Sequence, residues 1–228
     1  MQAIVLAGGL GTRLRSVVSD LPKPMAPVGD RPFLALLFDQ LLRHGCTRTF
    51  VSVGYKADSI IGHFGSDYRG MAIDYVREDE PLGTGGGLRL ALAAIDEARA
   101  LVLNGDTYFD IDLGAIYAQH VDDGRTATLV LRRLEEADRY GTVLVQDGVI
   151  TGFQAAGRSG PALINGGTYV LQRGLFDDFD LPGVFSFEQD FLQPHVADLR
   201  PGAVIADGLF VDIGVPRDYQ WACEHLAA

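Results

Sequence analysis

Hydrophobic positions recur with two different periods along this chain, and the change of period divides it. In the first half, short runs of consecutive apolar and β-branched residues alternate with segments whose apolar residues return every three or four positions. The runs at Gln2 to Leu6, Thr49 to Val53, Ala72 to Val76 and Ala100 to Leu103 predict strands. The segments Pro32 to His44, Lys56 to His63 and Gly86 to Ala98 predict helices. Such alternation points to βαβ units, because parallel neighbours need a long crossover connection and a helix supplies it. Right-handed crossovers that step in both directions along the sheet put helices on its two faces.

From about residue 126 the texture changes. The runs TATLVL, TVLVQDGVITGF and ALINGGTYVL are rich in β formers, and Asp147-Gly148 is a hairpin turn signal between two apolar runs. A last helix is predicted from Pro216 to Leu226, with the proline in its first turn. No internal repeat, low-complexity linker or charge block breaks the chain. The expected fold is α/β, a three-layer, mainly parallel sheet with added β-hairpins in the C-terminal half. One domain over residues 1–228 is expected, with halves meeting near residue 125.

Composition narrows the classes. With 228 residues and 47% hydrophobic content, the chain can bury a real core. No apolar run reaches the roughly 18 residues of a membrane span, and the N-terminus lacks the basic flank and long apolar stretch of a signal peptide; a soluble cytoplasmic protein with no membrane partner is expected. Cys46 and Cys223 form no CxxC and have no His cluster nearby, so two ordinary buried thiols are expected. A formal charge of -11 argues against nucleic acid as a partner. An anionic ligand would need cations gathered locally. Lysine is scarce, Lys23 and Lys56 against 17 arginines, so Lys23 hints that a compact ammonium is wanted there.

Lys23 closes the stretch LAGGLGTRLRSVVSDLPKPMAPV, residues 6–28. The glycine-rich loop Ala7 to Leu14 directly follows the first strand, and ligands of open parallel sheets sit at the carboxyl ends of strands. Its N–H groups can point at an anion without side chains in the way. A Walker loop is absent, and Leu14 stands where a dinucleotide fingerprint needs Gly or Ala. Pro22 and Pro24 restrict the backbone around Lys23 and aim it. Two carboxylates also end apolar strand-like runs, Asp106 in LVLNGD and Asp212 in LFVDIG. With phosphate oxygens and water they would make the oxygen-rich shell that Mg2+ prefers. Each also fits a turn or helix cap.

The glycine-loop segment resembles the signature of the sugar-1-phosphate nucleotidylyltransferases, GGxGTRLxPxTxxxPKPMxPV, at Gly8, Gly9, Gly11, Thr12, Arg13, Leu14, Pro22, Lys23, Pro24, Met25, Pro27 and Val28. The resemblance covers essentially the whole chain. It implies a Rossmann-like nucleotide-diphospho-sugar transferase fold and transfer of a nucleoside monophosphate from a nucleoside triphosphate to a sugar 1-phosphate. It further implies that Leu6, Ala7, Gly8, Gly9, Gly11 and Thr12 hold the nucleotide, that Arg13 meets its β- and γ-phosphates, and that Lys23 binds the reacting phosphates. Asp106 and Asp212 match the family's Mg2+ carboxylates, which makes Arg13, Lys23 and Asp106 the expected catalytic residues. Ser16 replaces a common proline, and RSVV…DLPKPMAPV looks like the branch that uses GTP and D-glycero-D-manno-heptose 1-phosphate for bacterial surface polysaccharides.

The run EDEPLGTGGGL, residues 78–88, resembles the family's PLGTAGAL element, so Pro81, Gly83 and Thr84 are expected around the base and ribose. Guanine alone among the common bases shows adjacent N1–H and N2–H donors, which a carboxylate accepts as a pair; Glu78 is the candidate, although a solvated acidic turn would read the same way. Tyr140-Gly141 and Asn165-Gly166 resemble the family's sugar-pocket elements, and Glu188 matches a glutamate that meets sugar hydroxyls, or else caps a helix start. The family's Glu-Lys pair after Phe153 is missing, unless Arg158 stands in for its cation. The attacking phosphate oxygen is already ionised, so no general base is needed, and His44, His63, His120, His195 and His225 are expected to be structural or solvated. Glucose or mannose 1-phosphate with dTTP, UTP or GTP remains open, as does a non-catalytic sugar-nucleotide sensor. A homo-oligomer is neither implied nor excluded by the sequence.

Overall fold

The computed structural model describes residues 1–9, 21–157 and 159–227. The first half runs β1 (Gln2–Leu6), a 3-10 turn at Lys23–Met25, β2 (Pro27–Val28), β3 (Arg31–Pro32), α1 (Phe33–Arg43), β4 (Arg48–Val53), α2 (Ala57–Phe64), β5 (Asp67–Tyr68), β6 (Met71–Arg77), α3 (Gly83–Ala94), β7 (Arg99–Asn104), β8 (Thr107–Phe109) and α4 (Leu113–Asp123). The second half adds β9 (Ala127–Leu134), β10 (Thr142–Gln146), β11 (Val149–Gln154), β12 (Ala162–Gln172), a π-helical segment Phe187–Leu192, α5 (Val196–Leu199), β13 (Gly202–Ala206), β14 (Phe210–Asp212) and α6 (Pro216–His225).

Ten strands form one mixed sheet in the order β10-β11-β13-β9-β12-β7-β1-β4-β6-β5. The neighbours β7, β1, β4 and β6 run parallel, as the βαβ alternation predicts. The expectation of a mainly parallel sheet fails beyond β7. There β12 enters antiparallel to both β7 and β9, and β10 is antiparallel to β11. The physical reason is the connections: β10 and β11 are joined by a two-residue turn, too short for a crossover. Asp147 (φ 50) and Gly148 (φ 72) both take the left-handed geometry that such a turn demands.

Side chains alternate across β1, and the two faces meet two different cores. Ala3 and Val5 pack with α1, α2, α4 and α6, whereas Ile4 packs with α3 and the aromatic segment Phe185 to Leu192. Helix α1 buries Phe33, Leu34, Leu37, Phe38 and Leu41, the stripe its period predicts. The helix expected over Gly86 to Ala98 instead spans Gly83–Ala94. It stops because Ile95 is extended and the next two N–H groups, of Asp96 and Glu97, donate to the Gln2 side-chain Oε1 at 2.9 and 3.2 Å. Helix α4 carries a weaker stripe and was not predicted. Cys46 is buried, which pushes its thiol up to about 11, but Cys223 is only half-buried; both are free.

Candidate active site

The carboxyl ends of β1, β4 and β7 open on a cavity of about 480 Å³, walled by Leu6, Ser52 and Asn104 from those strands. Ala7, Gly8 and Gly9 continue from β1 along it. The start of this loop is fastened on both sides, since Ala7 N–H donates to the Ser52 carbonyl at 2.8 Å and Gly105 N–H donates to the Leu6 carbonyl at 2.9 Å. Gly11, Thr12, Arg13, Leu14 and Ser16 lie outside the described residues, as does Arg158.

Lys23 opens its 3-10 turn straight after Pro22, held extended at φ -67 and ψ 148. Its side chain is 9% exposed, and the ammonium lies 2.6 Å from Asp106 Oδ2 and 3.7 Å from Asp212 Oδ1. The two aspartates arrive there by a device the sequence did not announce. Asp106 stands in the turn beyond β7, and Asp212 ends β14, which is not in the main sheet but pairs with β8 as a two-stranded ribbon. Register places Asp212 opposite Thr107, and Ile213 N–H donates to the Asp106 carbonyl at 3.0 Å. Asp212 Oδ1 also accepts Gly214 N–H at 2.7 Å, which orients the carboxylate.

These carboxylates are 35% and 28% exposed and share the Lys23 ammonium, which lines the cavity together with Asp106 and Gly214. That donor set fits a divalent cation that takes its remaining oxygens from phosphate and water. Among the described residues no group of three or more His, Cys, Asp or Glu could hold a metal, so the two aspartates would need those outside oxygens to complete a shell.

Pro81, Gly83, Thr84 and Glu78 also line the cavity. Glu78 Oε1 accepts from Ser52 Oγ at 3.1 Å and Oε2 accepts Leu82 N–H at 3.0 Å. Most of the glycines in GTGGG answer to packing. A Cβ at Gly83 would meet the Phe185 carbonyl oxygen at 2.6 Å, one at Gly85 the Phe185 ring at 2.3 Å, and one at Gly86 the Gly183 carbonyl at 2.7 Å. Gly85 N–H donates to Phe185, and Phe187 N–H donates to Thr84 Oγ1 at 3.0 Å. The first turn of α3 is thus stitched to the segment that leads to Glu188.

Glu188, Asn165, Gly141 and Gly166 gather beside it. Asn165 Nδ2 donates to Tyr169 Oη at 2.8 Å and to Glu188 Oε2 at 3.3 Å, and a Cβ at Gly141 would lie 3.9 Å from Glu188 Oε1. At Gly166 a side chain has no room: its Cβ would press on the Phe109 ring at 2.8 Å, where β12 bulges between Asn165 and Thr168. Glu188 does not cap the helical segment. Ser186 and Asp190 do, Ser186 Oγ accepting Gln189 N–H and Asp190 accepting Ser186 N–H at 2.7 Å, which leaves Glu188 for Asn165. Burial raises the Tyr140 phenol above its ordinary value, and the charge of Asp212 adds to the rise. Burial likewise raises Tyr169, whose hydroxyl also meets Asn104 in the cavity wall.

Sequence reasoning missed Ser52, Asn104, Gly105 and Gly214 in the wall. The signal for the first two was present, since both lie at the carboxyl ends of parallel strands.

A family model described as nucleotidyl transferase matches residues 2–228. The chain belongs to that family. Within it, this nucleotidyl transferase is 42% identical over 226 residues to the D-glycero-alpha-D-manno-heptose 1-phosphate guanylyltransferase of Aneurinibacillus thermoaerophilus, covering 99% of this chain and 98% of that protein. It is 45% identical over 221 residues to the protein of the same description from Campylobacter jejuni subsp. jejuni, covering 96% and 97%. The solved structure of HddC from Yersinia pseudotuberculosis, complexed with GMP-PN, is similar with a TM-score of 0.87 at 36% identity, over 99% of both chains.

Proposed function

We propose that this nucleotidyl transferase moves GMP from GTP to D-glycero-D-manno-heptose 1-phosphate, with Mg2+, giving GDP-heptose and pyrophosphate. The observation that carries the reading is the convergence of Asp106 and Asp212 on the Lys23 ammonium in the cavity wall. A binder of sugar nucleotides has no use for two carboxylates there, which would repel a bound anion unless a cation stood between. The relatives at 42% and 45% identity, both D-glycero-alpha-D-manno-heptose 1-phosphate guanylyltransferases, favour heptose over glucose or mannose, and guanine over uracil or thymine.

In the proposed reaction an oxygen of the sugar phosphate forms a bond to the α-phosphorus of GTP, and the bond from that phosphorus to the β-phosphate oxygen breaks. The sugar phosphate is already an anion at neutral pH, so no side chain has to take a proton. The burden is to bring two anions together and to balance charge on the leaving pyrophosphate. Lys23 is assigned to the reacting phosphates, held at its bearing by Pro22 and by Asp106. Gly8, Gly9 and, from the resemblance, Gly11, Thr12 and Arg13 are assigned to the triphosphate. Glu78 is assigned to guanine, and Tyr140, Gly141, Asn165, Gly166 and Glu188 to the heptose. Asp106 and Asp212 would hold Mg2+, which supplies positive charge to the phosphate oxygens when bound. The continuous sheet through both halves supports one catalytic domain.

Asp106→Asn and Asp212→Asn test the reading. Each is expected to lower turnover by about two to three decades with the circular dichroism spectrum unchanged. Near-normal rates in either variant would remove that residue from the metal site.

A further inference from the structure

Ser52 takes no part in the proposed transfer itself, yet it is placed like a working residue. It is 1% exposed, stands near the carboxyl end of β4 and lines the cavity. Its only hydroxyl proton goes to Glu78 Oε1 at 3.1 Å. The other Glu78 oxygen accepts Leu82 N–H at 3.0 Å, so the carboxylate is tied at two points, to β4 and to the start of α3. Two glycines close the slot around it. A Cβ at Gly8 and a Cβ at Gly87 would each stand 2.6 Å from the same Oε1, and the one at Gly87 would also lie 3.2 Å from Ser52 Oγ.

A glutamate on a cavity wall normally samples several rotamers and loses that freedom when a ligand binds. Here the loss has already been taken on folding, which leaves more of the contact energy for the ligand. Each carboxylate oxygen has two acceptor positions, so one on each remains after the bonds to Ser52 and Leu82. Guanine presents two adjacent donors to such a pair. Adenine presents an acceptor, N1, in place of one of them, and a fixed carboxylate cannot turn away from it.

We propose that Ser52 is a specificity-determining positioning residue, which selects guanine by locking the Glu78 carboxylate in its base-reading orientation. The proposal rests on the assignment of Glu78 to guanine, and the test separates the two. Steady-state kcat and KM for GTP and for ATP are measured with heptose 1-phosphate and Mg2+ for the wild type, Ser52→Ala, Glu78→Gln and the double variant, with thermal midpoints as a folding control. Ser52→Ala is expected to raise KM for GTP about tenfold, to leave kcat within about twofold, and to shrink the preference for GTP over ATP by the same tenfold factor. Because Ser52 acts through Glu78, the double variant should prefer GTP no less than Glu78→Gln does. A Ser52→Ala enzyme with wild-type preference, while Glu78→Gln loses it, overturns the role of Ser52 and leaves the guanine assignment standing. Multiplying losses in the double variant overturn it too. Wild-type preference in Glu78→Gln overturns both.

Discussion

At the scale of single residues, the site turns on charges that cannot be removed one at a time. Lys23 balances two carboxylates, so Lys23→Met is expected to cost about two to three decades of turnover. Its thermal midpoint should move by only a few degrees, since both carboxylates are about a third exposed and water screens what the ammonium no longer does. A second residue carries a pH signature remote from the site. His120 is 1% exposed on α4, with Nδ1 at 2.8 Å from Thr128 Oγ1. Burial, helped by the charge of Arg99, lowers its pKa from 6.5 to about 4. Between those values the unfolded chain binds a proton that the folded chain refuses, so the stability it contributes is full above pH 6.5 and is lost as pH falls toward 4. Urea unfolding across that window should show the wild type losing up to about 3 kcal/mol more than His120→Gln. Equal slopes would contradict the assignment.

At the scale of elements, strands and helices with a plain period were legible and their contacts were not. The βαβ alternation located β1, α1, β4, α2, β6 and β7 to within a few residues. The start of α3 was misplaced because GTGGG reads as a loop, whereas those glycines let the helix press against Gly183 and Phe185. This contrast predicts opposite signs for the same substitution in two helices. Gly85→Ala puts a Cβ 2.3 Å from the Phe185 ring and should cost about 1–3 kcal/mol in chemical denaturation. Gly62→Ala, at an exposed position inside α2 with nothing within 4 Å, should stabilise by about 0.5–1 kcal/mol. The ribbon of β8 with β14 escaped the sequence for a different reason. Its partners are about a hundred residues apart and three residues long, too short for any period to show.

At the scale of the whole molecule, the ribbon and the sheet together explain why residues so far apart in sequence could be grouped beforehand. Lys23, Asp106 and Asp212 were each marked locally, by flanking prolines or by a carboxylate after an apolar run, and the fold brings all three to one point. Ser52 and Asn104 were marked only by their place near the carboxyl ends of β4 and β7, a signal that many residues share, and the cavity singles them out. Likewise the heptose side could be named residue by residue, but the bond from Asn165 to Glu188 needs the bulge in β12 and the capping of Ser186 by Asp190. Reading the molecule as one machine for joining a nucleotide to a sugar phosphate leads to a single decisive assay. Pyrophosphate release is measured with Mg2+ over a grid of GTP, dTTP and UTP against the 1-phosphates of D-glycero-D-manno-heptose, mannose and glucose. The prediction is that GTP with the heptose 1-phosphate exceeds every other pair in kcat/KM by about tenfold or more. Turnover with dTTP and glucose 1-phosphate but not with that pair, or no turnover at all, would contradict it.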